Sequence, residues 1–153
     1  MNNIAIQSSF VEKGESNLLH REKIEVLQKA VLELPQTMPK LEHFFAHKIY
    51  ARKGVIKKGT ILIGAIKKYS HINIIVYGDS SVFTEDGETR IKGHTVLVSQ
   101  GGTKRVIYAH EDTLWITIIS ANETDLDKVE EEVLCKTYDD FLKYCANKKL
   151  IGE

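Results

Sequence analysis

The chain has 153 residues, 42% hydrophobic and 27% charged, and its 21 lysines and arginines balance 21 aspartates and glutamates. That size and balance fit one soluble globular domain with a full core. Zero net charge gives no support to general nucleic-acid or membrane-surface binding, and no apolar run approaches the ~20 residues that cross a bilayer.

The first residues, MNNIAIQSSFVEKGES, lack a basic stretch followed by a long apolar one, so no secretion leader is expected. Residues 16–34 place Leu19, Leu27, Val31 and Leu34 near helical spacing with charge between them, which predicts an amphipathic helix. Ser16 or Asn17 is positioned to cap its start, and Pro35 follows its end.

From about Phe44 to Ser120 the pattern changes to short runs of Ile, Val, Thr and Tyr, with turn signals about every ten residues. Asp86-Gly87, between VFTE and ETRI, predicts a two-residue hairpin loop of type I′. Many short, regularly spaced strands indicate an antiparallel sandwich or barrel. TILIGAI and HINIIVY are apolar on both faces and need cover on their outer side. Terminal helices can supply part of that cover and a second subunit the rest, so a homo-oligomer, a dimer or higher, is expected.

After Ser120 the helical pattern returns. Thr124 precedes DLDKVEEE and Thr137 precedes YDDFLKYCANKK, each with an aspartate three residues on (Asp127, Asp140), a variant of the capping box. The expected organisation is an N-terminal helical segment over 1–43, a barrel over 44–121 and a C-terminal helical segment over 122–153, all one domain. Cys135 and Cys145 form neither a CxxC motif nor a disulfide framework and read as reduced thiols, which places the protein in the cytoplasm.

The strand, the polar cluster around His71, Gly78-Asp79, the hairpin and KGHTVLVSQGGTKR together resemble a cupin, a small double-stranded β-helix. More narrowly, YARKGVIKKGTILIGAIKKYSHINIIVYGD with TVLVSQGGTKRVIYAHEDTLWITI is similar to small cupin-like proteins of tailed phages and prophages. The resemblance spans roughly residues 42–132 and implies a phage protein in the host cytoplasm. Metal-binding cupins place two His and a Glu in a first motif and a His in a second. Aligned on Gly78, Gly93 and Gly101, those four positions become Ala65, Lys67, His71 and Lys104. Relatives often carry His where Lys67 stands. One imidazole beside two ammonium groups is a poor cation site, so no metal and no other cofactor is expected.

Strand alternation puts His71, Asn73, Ile75 and Tyr77 on one face, and Lys104, Val106, Tyr108 and His110 on one face of a later strand. If both faces line the barrel, the pocket holds Lys67, His71, Asn73, Tyr77, Lys104, Tyr108 and His110, with Arg90 and Arg105 at its rim. Such a pocket suits a small anionic ligand, nucleotide-like or a sugar phosphate. Plain structural roles compete at each position. Lys67-Lys68 reads equally as a solvated turn, His71 as a strand histidine satisfied by Asn73 or a backbone carbonyl, and Gly101-Gly102 as an ordinary turn. His110-Glu111-Asp112 reads as an acidic turn as readily as an acid–base group.

Three functions fit these residues. The favoured one is a binding module without catalysis, for example one that sequesters a host nucleotide signal. The second is a metal-independent sugar-nucleotide epimerase or isomerase, with His71 as base and Tyr77 or Tyr108 as acid. The third is a virion structural or assembly protein. Fold alone cannot choose among them.

Overall fold

The computed structural model describes residues 13–150. Helix α1 (Lys13–Leu32) is followed by a connector that leads into β1 (Leu41–Ala46) and β2 (Ile49–Ile56). Then come β3 (Ile61–Ile63), β4 (Ile66–Lys67), β5 (His71–Tyr77), β6 (Asp79–Thr84), β7 (Gly87–Lys92), β8 (Thr95–Ser99), β9 (Val106–Ala109) and β10 (Thr113–Ser120). Helix α2 (Leu126–Val133), a short β11 (Leu134–Cys135) and α3 (Tyr138–Leu150) end the described chain. The protein is mainly β, as expected; among the described residues one helix precedes β1 and two follow β10, with β11 between them.

The strands form a five-stranded antiparallel sheet in the order β1-β2-β10-β5-β8 and a four-stranded sheet in the order β3-β9-β6-β7. A third, two-stranded sheet pairs β11 with β4. Neighbours in each sheet are mostly distant in sequence, the crossing pattern of a jelly roll rather than of a meander. Among the described residues, no helix is long and apolar enough to cross a membrane.

The period of two sorts the five-stranded sheet. Its inner face carries the row Arg52–Thr117–Asn73–Leu97 and, beside it, Gly54–Trp115–Ile75–Thr95. The interior is layered. Ile56, Ile75, Val82, Ile91, Ile107, Ala109 and Trp115 pack one apolar cluster. Tyr50 and Ile119 meet Val129 and Val133 of α2 in a second cluster. The polar groups of the site lie between these two clusters. The outer face of the same sheet carries an unbroken apolar row, Phe44–Ala51–Ile118–Ile72–Val98.

Several local expectations shift. Ser16 and Asn17 lie inside α1, which already runs from Lys13. Asp125, not Thr124, caps α2: its carboxylate accepts from the Lys128 N–H. The box at α3 is reciprocal, with Asp140 N–H donating to Thr137 Oγ1 at 3.1 Å and Thr137 N–H to Asp140 Oδ2 at 3.2 Å. At the β6–β7 hairpin Thr84 pairs with Gly87, and only Gly87 has a positive φ (108°). The loop is therefore Glu85-Asp86 and not the type I′ Asp86-Gly87, which needs two such residues. Helix α1 is fastened to this loop: His20 Nδ1–H donates to the Glu85 carbonyl at 2.8 Å, and Arg21 pairs with the Glu85 carboxylate at 3.3 Å.

Candidate functional site

Lys67 is held in place from both sides. Its backbone pairs with Leu134 in the β4–β11 ladder, and its carbonyl accepts from the Gly102 N–H at 2.8 Å. Next to it, Lys68 N–H donates to the Val133 carbonyl and Lys68 Nζ to the Glu131 carbonyl, each at 2.8 Å. Gly101 must be glycine here, because a Cβ would collide with the Lys68 carbonyl oxygen. The two-glycine turn is thus the clasp for the Lys67-Lys68 segment, and its Gly102 N–H is already engaged. Lys67 is no solvated loop residue: only 7% of it is exposed.

The Lys67 side chain lines a cavity of about 60 Å³ shared with Arg52, Ala65, His71, Arg105, Trp115 and Thr117, and with Pro39 of the connector and Leu41 of β1. No aspartate or glutamate is among its lining residues. Burial, reinforced by repulsion from Arg52 and Arg105, brings the Lys67 ammonium down to a pKa of about 7. Burial brings Arg105 down to about 10, against the opposing pull of the Glu85 carboxylate, which lies outside the cavity lining. Arg105 Nη2 donates to Ser99 Oγ, and its guanidinium lies 5.4 Å from the centre of the Trp115 ring, a cation–π distance. Its Nε is buried and has no hydrogen-bond partner among the described residues.

Asn73, wholly buried, organises the floor. Its Oδ1 accepts from Trp115 Nε1 and Thr117 Oγ1, each at 3.0 Å, and its Nδ2 donates to Ser99 Oγ at 3.0 Å. One amide thereby fixes the indole under Arg105 and the hydroxyl that Arg105 uses. His71 Nδ1 lies 3.0 Å from the Tyr69 carbonyl oxygen, which can only accept, so Nδ1 carries the hydrogen and Nε2 the lone pair. Burial and the nearby Lys67 charge push the His71 pKa down to about 4.

The structure brings Lys67, His71 and Arg105 to this cavity, with Asn73 beneath it. The other expected residues lie elsewhere. Lys104 donates to Gln28 of α1 and is replaced in the cavity by its neighbour Arg105; the inward parity of this segment is odd, with Arg105 and Ile107 facing the cavity. Tyr108 and His110 stand on the opposite side of the four-stranded sheet, edge to face at 4.8 Å, and His110 Nε2 bonds Ser81 Oγ at 2.9 Å. Arg90 grips Asp79 with two hydrogen bonds at the surface. Tyr77, 45% exposed, lines a second, larger recess of about 570 Å³ that also includes Met38, Lys53 and Leu114. This recess shares Pro39, Gly54, Ile56 and Leu62 with the inner cavity. Sequence reasoning did not single out Arg52. Its signal was parity: Arg52 sits on the face of β2 that carries the buried Tyr50 and Ile56.

The cupin metal positions, Ala65, Lys67, His71 and Lys104, do not fit a divalent ion. Ala65, Lys67 and His71 line the cavity and offer a methyl, one ammonium group and one imidazole, Lys104 lies away against α1, and Arg52 and Arg105 add positive charge to the cavity. Among the described residues no group of three or more His, Cys, Asp or Glu side chains could share a metal.

No protein-family model and no curated protein matches the chain. Its structural neighbours are cupin superfamily proteins. One is a cupin superfamily protein from Desulfitobacterium hafniense (9% identity, 57% of this chain and 81% of that one, TM-score 0.49). Another is an RmlC-like cupin family protein with a double-stranded β-helix fold from Methanocaldococcus jannaschii (12% identity, 57% and 84%, TM-score 0.49). A conserved protein of unknown function from Streptococcus pyogenes is also similar (13% identity, 59% and 80%, TM-score 0.48).

Proposed function

We propose that this protein binds a small anionic group inside its barrel without the help of a metal ion. One observation carries the reading: Arg52, Lys67 and Arg105 converge on a single cavity whose lining contains no carboxylate. Bringing like charges together in a low-dielectric site is unfavourable unless an anion completes it. The buried Arg105 Nε, with no partner among the described residues, is a donor such an anion would satisfy. At about 60 Å³ the cavity matches about two waters at roughly 30 Å³ each, room for one small anionic group and not for a whole nucleotide. A nucleotide or sugar phosphate would place only its anionic end here and its body in the larger recess next door. Arginine supplies directional paired hydrogen bonds and lysine a point charge, a division of labour suited to phosphate.

Catalysis by His71 is the weaker reading, because an imidazole with a pKa of about 4 is a poor proton acceptor at neutral pH. On the phage resemblance, the cellular use is capture of a host nucleotide signal in the cytoplasm. The chain acts as one unit of N-terminal segment 1–43, barrel 44–121 and C-terminal segment 122–153.

Thermal unfolding with sulfate, inorganic phosphate and adenosine monophosphate tests the proposal. An anion at a hundred times its dissociation constant stabilises the native state by about 2.7 kcal/mol, and Lys67→Met should remove that shift. Absence of a shift with all three anions would sink it.

A further inference from the structure

We propose that Lys67 is the nucleophile of a carbonyl-capture site: its amine condenses with a 2-oxo acid whose carboxylate is held by Arg52 and Arg105. The inference rests on the anion site described above and names a further class of ligand for it. Lys67 is the one buried lysine among the described residues, and β11 and the Gly101-Gly102 turn fix its backbone from both sides. An anion could be met by a lysine at the rim, whose ammonium keeps its water. Here the amine instead shares a cavity with two guanidinium groups and no carboxylate. Desolvation and cationic neighbours are the two conditions that turn a lysine from a cation into a nucleophile. The charged and titratable groups lining the cavity around it are Arg52 of β2, His71 of β5 and Arg105 just before β9, none of them acidic. Burial and the two arginines hold Lys67 to a pKa of about 7, so a large share of it is free amine at neutral pH.

The step needs neither oxidant nor reductant. The Lys67 Nζ lone pair forms a C–N bond to the carbonyl carbon, and the C=O π pair moves to the oxygen, which takes a proton from the nitrogen. The C–O bond then breaks, and the oxygen leaves as water with the second amine hydrogen, giving a neutral imine. The His71 Nε2 lone pair is an acceptor for the hydroxyl of the intermediate. Size selects the class of acid. In about 60 Å³ a flat carboxylate leaves more room for an adjoining carbonyl than a phosphate does. Guanidinium meets carboxylate with paired hydrogen bonds, and the buried Arg105 Nε, without a partner among the described residues, is a donor for one of them. The arginines thereby take the acid and leave the amine to the carbonyl beside it. Ala65 lines the cavity and is itself exposed, which gives a ligand a way in. A longer substituent would run into the larger recess across the shared wall of Gly54, Ile56 and Leu62.

The test treats the full chain at neutral pH with glyoxylate, the smallest 2-oxo acid, or with acetaldehyde, a carbonyl without the acid. Sodium cyanoborohydride reduces any imine to a stable amine, and peptide mapping compares Lys67 with the exposed lysines of the same digest. A lysine of ordinary pKa holds about a thousandfold less free amine at this pH. Glyoxylate should therefore label Lys67 at least about tenfold faster than any exposed lysine. That preference should fall at least about tenfold with acetaldehyde, and excess sulfate should suppress it. Isotope-labelled glyoxylate should also show its imine signal in carbon NMR without reductant, so the result does not depend on hydride entering the cavity. A Lys67 with neither label nor imine signal, in a protein that sulfate still stabilises against heat, would overturn the capture and leave the anion site standing. The same absence with no sulfate shift would remove both. Equal labelling by the two carbonyls, or labelling indifferent to sulfate, would show a reactive amine without partners for the acid, and would also overturn the proposal.

Discussion

His71 Nδ1 and the carbonyl oxygen of Tyr69 are 3.0 Å apart, and this one contact decides which nitrogen of the imidazole faces the rest of the site. The ring is held as its Nδ1–H tautomer, and burial and Lys67 keep it neutral. Nitrogen-detected NMR should therefore show one tautomer from pH 8 down to about 5 and a midpoint near pH 4. The unfolded chain takes up its proton near pH 6.5, while the folded chain waits until about 4. Between those values the unfolded state binds more protons, so this group's contribution to stability is complete above pH 6.5 and is lost as pH falls towards 4. A folded-state midpoint near 6.5 would contradict the arrangement.

Lys67 should be a residue that binding needs and folding does not. Its folded pKa of about 7 lies below its unfolded value of 10.5. Above pH 10.5 neither state carries the charge and there is no penalty. As pH drops through this range the unfolded state gains the proton first, so stability declines, and the full penalty is present below pH 7. Lys67→Met should raise stability by roughly 2–4 kcal/mol at pH 6 and by much less at pH 10, measured by urea unfolding. A variant less stable than the wild type at pH 6 would show the ammonium to be satisfied in the native state.

The same titration should appear in binding. Sulfate does not change charge between pH 6 and 9, so the pH dependence of its affinity reports the protein. Affinity should be level below pH 7 and then fall towards tenfold per pH unit as Lys67 loses its proton. Calorimetry in two buffers of different ionisation enthalpy should also register proton uptake on binding near pH 7.5. A flat profile across this range would mean that Lys67 does not touch the anion.

Asn73→Ala should cost about 3–5 kcal/mol, because it opens a hole in the floor and strands the Trp115 and Thr117 donors. Chemical denaturation measures the loss, and the fluorescence of Trp115, the single tryptophan of the chain, should shift as its Nε1 loses its partner. A loss under 1 kcal/mol would mean that water replaces the amide without penalty.

Gly101→Ala should harm both stability and binding, since the added methyl pushes against the Lys68 backbone and loosens the clasp on Lys67. A drop of about 2 kcal/mol with at least tenfold weaker sulfate binding is expected. Lost stability with intact binding would show that the turn does not position the lysine.

The strand-rich middle, the flanking helices and the first part of β5 were legible because period and turn chemistry are local; Tyr77, assigned to the same face, lies beyond the register shift between Leu114 and Trp115 and is exposed. His71 and Asn73 share the face that alternation assigns them. The later segment was not legible. Lys104 and Arg105 are both cationic and precede a short strand, Val106–Ala109, with apolar residues on both parities, so nothing local says which side chain turns inward. The Asn73 network joins residues 26 to 44 positions apart, which no spacing rule can pair. Arg52 was hidden for the opposite reason: a charged residue in a strand reads as solvent-facing until its neighbours across the sheet are known.

The pairing of Leu134 with Lys67 ties the fate of the binding chamber to the far end of the chain. An engineer who trimmed the polypeptide after its last long strand would remove the splint that keeps this amine indoors and, with it, Val129 and Val133 from beneath Tyr50 and Ile119. Receptivity and stability should therefore fall together. What looks like an appendage is the latch of the site.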